Sequence, residues 1–374
     1  INEDSLKKSS ITNITRTDIQ LKKNQFKLSP DCPKIKKVNA SVLNQNYSNF
    51  IEDFTVQNGL VDSDITDLLI DNSNNLWIST TKGLSKFDGE YFCNYSQDNG
   101  LASRIIQKLF LDSKGNIWIG TMEKGIIKYD GNHFISIDSN GEILGQDIWD
   151  ITEDKKGNIW IASNHGLFSF KENTLTSYDF TSQFNFSSKT DVISVEIDLK
   201  NNLWISFLGS GVLKFDGNNF YQITEKDGLN SNKIWNISVD NKGDIWFGDL
   251  DRGVSKLSEK KITTYLLPQG ITKISFGEND NVWLSMSSKG VVNLKNKELI
   301  DKFSGLTGEM VCAPVIDNGD GLIFIGIYNH GLSIYKDKNF KTLVEKNGLN
   351  YHEISQIKKT NMGGVLLTYW SDNI

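Results

Sequence analysis

The sequence predicts an all-β chain folded as a single β-propeller of four-stranded antiparallel blades. Three observations predict it. An aromatic-centred motif recurs along the chain at near-constant spacing, and turn residues punctuate each copy at fixed positions. No copy sustains the i, i+3, i+4 apolar spacing of an amphipathic helix.

The motif is read at Asn75-Leu76-Trp77-Ile78, Asn116-Ile117-Trp118-Ile119, Asn158-Ile159-Trp160-Ile161 and Asn202-Leu203-Trp204-Ile205. It continues at Asp244-Ile245-Trp246-Phe247, Asn281-Val282-Trp283-Leu284 and Leu322-Ile323-Phe324-Ile325, with a degenerate copy at Gly364-Val365-Leu366-Leu367. The aromatic positions are 41, 42, 44, 42, 37, 41 and 42 residues apart.

The second copy shows how one unit folds. Ile105 to Leu111 is a β-branched and apolar run, and Asp112-Ser113-Lys114-Gly115-Asn116 is a turn. In that turn the Asp side chain caps the backbone and the Gly takes a positive φ. Ile117 to Thr121 is a second strand, Met122 to Gly125 turns the chain, and Ile126 to Tyr129 is a third. Asp130-Gly131 is a hairpin signal leading to a fourth strand, His133 to Ile137. The repeated Trp belongs to the second strand, wedged between neighbouring blades, where burial contributes on the order of 1.5–3 kcal/mol per side chain.

Eight copies give eight blades, with seven as the alternative count. The eighth has strands near Glu353–Lys359 and Val365–Trp370 before the chain stops, so its outer strand is expected from the N-terminal side, at Phe50 to Phe54. Closure by N- and C-terminal strands removes the sheet edges. Residues 1–49 do not repeat and read as a polar N-terminal extension, a tether or a surface-lying segment; 50–374 is the propeller. Lys34 to Leu43 is a further candidate strand for the closing blade.

The composition narrows the function. The 374 residues carry a net charge of −6, which argues against a nucleic-acid partner, since that needs a basic stripe. No apolar run approaches the ~20 residues of a membrane-spanning helix. The chain begins at Ile1 rather than Met, as expected where an export signal has been removed. Cys32, Cys93 and Cys312 make no complete disulfide framework and no zinc-binding CxxC; one bridge with a free thiol, or three free thiols, both remain open.

Catalytic motifs are lacking. His133, His165, His330 and His352 show no metal spacing, and no GxSxG, Walker A or dinucleotide fingerprint stands in a suitable setting. The Asp-x-x-Gly turns lack the alternating carboxylates of a calcium loop. No cofactor and no metal site is expected.

The unit reads Asn-Gly-Leu, a strand, Asp-x-x-Gly-Asn-Ile-Trp-Ile-Gly-Thr, Gly-Ile/Leu, then Tyr/Phe-Asp-Gly, clearest from Asn99 to Gly131. It resembles the two-component regulator propeller repeat, over residues 50–374. That resemblance implies a sensor propeller of the periplasm or cell surface, taking part in signal transduction. For many relatives it also implies recognition of glycans or their breakdown products. The family's long sensors carry about twice as many repeats, then a small β-domain, a membrane span and a kinase, none of which is in this chain. A downstream signalling module or a protein partner is therefore expected, and no enzyme activity. A Gly-Asn-Leu-Trp-like strand is also found in propeller lyases such as the streptogramin lyases, which keeps a lyase as a lesser alternative beside a protein-interaction scaffold.

Ligands of propellers enter at the channel mouth, where the loops joining strand two to three and strand four to the next blade meet. Residues that break the repeat there are the candidates. They are Asn164 and His165, then Asp249, Asp251 and Arg252, then Tyr328, Asn329 and His330. On the first strands, one position holds Thr66, Gln107, Trp149, Ile193 and Trp235 in turn. Trp149 and Trp235 are additional to the repeat tryptophans, and aromatic rings beside Asn, Asp and Arg suit stacking on a sugar or other ring-shaped ligand.

Overall fold

The computed structural model describes residues 3–20, 25–26, 34–36, 59–62, 65–88, 91–97, 101–137, 146–184, 186, 190–277, 280–300, 316–317, 323–327, 331–336, 339–343, 353–359 and 365–370. Among them lie eight antiparallel sheets, taken here in chain order as sheets one to eight. Sheet one runs from Ile65–Ile70 through Leu76–Thr80 and Leu84–Phe87 to Tyr91–Tyr95, and sheets two to seven repeat this order of four strands. Sheet eight consists of Glu353–Lys359 and Val365–Trp370. This is the expected β-propeller architecture. The segment Phe50 to Phe54, expected to complete sheet eight, lies outside the described residues.

The Asp-x-x-Gly-Asn-x-Trp spacing has a physical cause that goes beyond the turn. In sheet two, Asp112 Oδ1 accepts the backbone N–H groups of Lys114 and Asn116 at 3.0 and 2.8 Å. Its Oδ2 accepts Asn116 Nδ2 at 2.8 Å and the indole Nε1 of Trp118 at 2.9 Å. Gly115 supplies the expected positive φ, +83°. The same Asp-to-indole bond recurs at Asp71–Trp77, Asp154–Trp160, Asp198–Trp204 and Asp240–Trp246, at 2.8 to 3.1 Å. One carboxylate thus closes the first hairpin and fixes the orientation of the blade's largest core side chain. Across the sheet, Lys86, Lys128, Lys214 and Lys256 hold their ammonium groups 4.9 to 5.9 Å from the rings of Trp77, Trp118, Trp204 and Trp246.

The chain divides into two compact units, 1–26 with 108–272 and 27–107 with 273–374. In the first, the core lies between successive sheets. Trp118 of sheet two packs with Ile148, Ile159 and Phe170 of sheet three. Trp160 packs with Val195 and Phe215 of sheet four, and Trp204 with Ile237 and Phe247 of sheet five. These three repeat tryptophans are therefore wedged between blades, as expected. In the second unit, Glu353–Lys359 of sheet eight lies beside Ile65–Ile70 of sheet one, so strands far apart in sequence are neighbours there.

Four short strands precede the repeats: β1 (Lys7–Ser10), β2 (Thr15–Gln20), β3 (Gln25–Phe26) and β4 (Lys34–Lys36). Each adds antiparallel to an outer strand, β1 to sheet four, β2 to sheet three, β3 to sheet two and β4 to sheet one. The early chain is a strap that takes successive sheets in reverse order. Of the candidate segment Lys34 to Leu43, the described part, Lys34–Lys36, lies on the edge of sheet one and not on the closing sheet. Cys93, on the outer strand of sheet one, is disulfide-bonded, and its partner lies outside the described residues.

Candidate functional site

The first strands of sheets one, three, four, five and eight share an irregularity. Their register slips between Ile65 and Asp67, Ile148 and Asp150, Val192 and Ser194, Ile234 and Asn236, and Ile354 and Gln356. The residue skipped is a β-bulge, a device that re-aims a side chain out of the ladder. At sheets three, four and five that residue is Trp149, Ile193 and Trp235. The first strands of these three sheets lie side by side. The bulge therefore carries the position that sequence comparison of the repeats singled out.

Trp149 is 36% exposed and Trp235 39%. Neither indole makes a hydrogen bond or ring contact with another described residue, in contrast to the repeat tryptophans. Leu208 and Leu250, which occupy equivalent positions in the loops after the second strands of sheets four and five, are exposed to the same degree. Backbone hydrogen bonds bring those loops to the starts of the first strands: Asn164 N to Asp147 O, Leu208 N to Asp191 O, and Leu250 N to Lys233 O. The two-to-three loops accordingly meet the ends of the first strands that carry the bulges.

Asn164 and His165 follow Ser163, which pairs with Ile148, the residue before Trp149. Asn164 exchanges two hydrogen bonds with Asp147, its Oδ1 accepting Asp147 N at 3.1 Å and its Nδ2 reaching Asp147 Oδ2 at 3.2 Å. His165 is exposed and its Nδ1 lies 3.0 Å from Asn164 Oδ1. Near Trp235, Asp251 accepts Ser231 Oγ at 2.5 Å and Lys233 Nζ at 3.0 Å. These two donors hold its carboxyl below the usual carboxylate range. Arg252 Nη2 donates to Asn230 O at 3.1 Å.

Asp249 is different. It is fully buried (0% exposed), its Oδ1 accepts the N–H groups of Asp251 and Arg252, and its Oδ2 accepts Asn230 Nδ2. Its carboxylate is the internal cap of the loop that presents Asp251 and Arg252. Tyr328, Asn329 and His330 lie outside the described residues.

The first strands also carry a charged cluster that sequence reasoning did not single out. Lys108 of sheet two pairs with Asp150 of sheet three at 2.9 Å. Asp150 Oδ2 in turn accepts Ser194 Oγ and Val195 N from sheet four, each at 3.1 Å. Burial, and then the Asp150 carboxylate, push the nearby Glu196 carboxyl up to about 7 against the opposing pull of Lys108. Glu196 occupies an ordinary alternating strand position, so only the approach of three strands reveals its surroundings. Among the described residues no group of three or more His, Cys, Asp or Glu side chains is disposed to hold a metal. None of their helices is long and apolar enough to cross a membrane.

Four segments of the chain, 59–82, 100–123, 142–165 and 228–251, match the family model for the two component regulator propeller. Each spans a first hairpin, and they include Trp149, Asn164, His165, Trp235, Asp249 and Asp251. No curated protein is similar enough in sequence to count as a relative. Among solved structures, the extracellular domain assigned to a hybrid two-component system of B. thetaiotaomicron is similar with a TM-score of 0.55 and 18% identity. The match covers 86% of this chain and 52% of that one, so this chain spans about half the length of its neighbour. PorZ, a surface component of the type-IX secretion system of Porphyromonas gingivalis, matches with a TM-score of 0.55 and 15% identity, over 74% of this chain and 47% of its own. Streptogramin B lyase matches with a TM-score of 0.53 and 14% identity, over 83% of this chain and 92% of its own. At these identities the likeness is one of fold. Four of the first hairpins that recur here thus resemble the two component regulator propeller repeat in sequence, and the chain is similar to these structures in fold.

Proposed function

We propose that this chain is an extracytoplasmic, non-catalytic sensor propeller that binds a carbohydrate or another ring-shaped small molecule on the loop face of sheets three to five. The observation that carries this reading is the pair of exposed tryptophans on β-bulges, Trp149 and Trp235, with polar groups at hand in Asn164, His165, Asp251 and Arg252. Indole faces stack on sugar rings, and the polar groups supply orientation. A disulfide at Cys93 fits an oxidising compartment. The repeat type and the fold shared with the extracellular domain of a hybrid two-component system support the same location. Eight sheets among the described residues favour eight blades.

Leu208 and Leu250, exposed beside the tryptophans, favour a second reading in which the same face holds a protein partner. A thermal-shift screen against oligosaccharides, nucleotides and amino acids separates the two. One compound class is expected to raise the melting temperature in proportion to occupancy, and the Trp149→Ala Trp235→Ala variant is expected to lose the response. No shift at millimolar concentration, or a shift the double variant retains, refutes small-molecule binding at this face and leaves the scaffold reading.

A further inference from the structure

A cavity of about 570 Å³ opens in the first unit, between the strap strand β1, the outer strand of sheet four and the loops at its ends. It is within the size range of small-molecule sites. It lies where the repeat is longest, since Trp160 and Trp204 are 44 residues apart. The connection between sheets three and four forms the short helix Thr181–Phe184, and Phe184 and Phe186 wall the cavity.

Two cations reach it from separate elements, Lys7 on β1 and Lys226 on the 3₁₀ turn Glu225–Asp227. Neither ammonium pairs with a carboxylate among the described residues. The carboxylate that lines the cavity, Asp227, is already engaged: its Oδ2 accepts the N–H and the Oγ1 of Thr224, each at 2.9 Å. Gly209, at φ +84°, turns its backbone to the cavity with nothing within 4 Å of where a Cβ would stand. The site thus joins two ammonium groups to one carboxylate, a mostly buried aromatic wall with the Lys7 ammonium 5.5 Å from the Phe184 ring, and open backbone.

We infer that this cavity binds a small organic anion, a carboxylate, sulfate or phosphate group carried on a ring, with the charge between Lys7 and Lys226 and the ring against Phe184 and Phe186. Because Lys7 belongs to the strap, occupancy also clamps β1 onto sheet four. None of its lining residues is among the candidates named for the Trp149–Trp235 face, so the two proposals are tested independently although the loops of sheets four and five serve both.

Isothermal titration at low salt with benzoate, phenyl phosphate and phenyl sulfate, and with phenol as the uncharged control, tests the assignment. At least one of the three anions is expected to bind saturably, phenol is not, and the responding probe identifies the acid group. Lys7→Gln and Lys226→Gln each lower affinity about tenfold, as expected for a charge-assisted hydrogen bond. Both side chains are exposed, so neither substitution endangers the fold. Lys8→Gln, whose ammonium stands 5.2 Å over Tyr221, leaves affinity unchanged, as does Trp149→Ala Trp235→Ala. Amide exchange across Lys7–Ser10 slows on binding. No saturable heat with any of the three anions at about 10 mM, equal binding of phenol, or undiminished binding by the Lys7→Gln Lys226→Gln variant overturns the inference.

Discussion

Replacing Asp112 by Ala removes four hydrogen bonds at once: two to the turn backbone, one to Asn116 Nδ2 and one to Trp118 Nε1. The backbone donors sit near the surface and recover water, so their loss resembles that of a cap, about 1 kcal/mol. The indole does not recover. Trp118 is 1% exposed, and an unsatisfied buried donor costs about 1–3 kcal/mol. The expected total is about 2–4 kcal/mol. Asp112→Asn is expected to be nearly as harmful: its new amide group would meet two donors, Asn116 Nδ2 and Trp118 Nε1, where an acceptor is required. A double-mutant cycle with Trp118→Phe, read by chemical denaturation, isolates the indole bond. A coupling of about 1–3 kcal/mol is expected, because Trp118→Phe removes the donor that Asp112 satisfies. Additive effects of the two substitutions would refute the view that this Asp is placed to hold the indole, and the repeat motif would reduce to a turn signal.

Two further outcomes follow from particular contacts. Glu196 is a carboxyl whose folded pKa, about 7, lies above its ordinary value of 4.5, so its neutral form is favoured in the fold. Its effect is absent below pH 4.5 and destabilises the fold increasingly as pH rises through about 7, by on the order of 3 kcal/mol. Glu196→Gln should flatten the dependence of the denaturation midpoint between pH 5 and 8, and an unchanged slope contradicts this. Gly211 has φ +77°, and an added Cβ would run into the Ile223 carbonyl oxygen. Gly211→Ala is therefore expected to cost at least about 2 kcal/mol by the same denaturation assay, and a neutral effect would show that the loop relaxes freely.

Much of this was legible in the sequence because a repeat writes the same solution many times. The hairpins, the turn Asp and Gly, and the burial of the second-strand Trp all follow from residue types at fixed offsets. The Asp-to-indole bond was not legible, since Asp112 and Trp118 are six residues apart and meet only when the hairpin closes. The strap was hidden for another reason. Lys7-Lys8-Ser9-Ser10 has no apolar alternation to mark it as a strand, and it is held by backbone pairing to Asn219–Gln222. Asp249 shows the opposite failure. Its break from the repeat, beside Asp251, made it a candidate for ligand contact, but its carboxylate is buried as the internal cap of the loop.

The strongest sequence signal for the site was a position that refuses to repeat, and the structure supplies its cause. A bulged residue is released from the pairing that constrains its neighbours, so the same place can hold Thr66, Trp149, Ile193 or Trp235 without disturbing the ladder. Freedom to vary explains why the position differs between sheets, but not why it holds tryptophan twice. Trp118 and Trp149 mark the contrast: one is sealed between blades with its nitrogen bonded to Asp112, while the other leaves a third of its surface in water. Stability would favour a smaller or polar residue at the exposed position, where an indole adds apolar surface that invites association. Two such residues on the first strands of sheets three and five, with exposed Leu208 and Leu250 in the loops of sheets four and five, are what the proposed binding face accounts for.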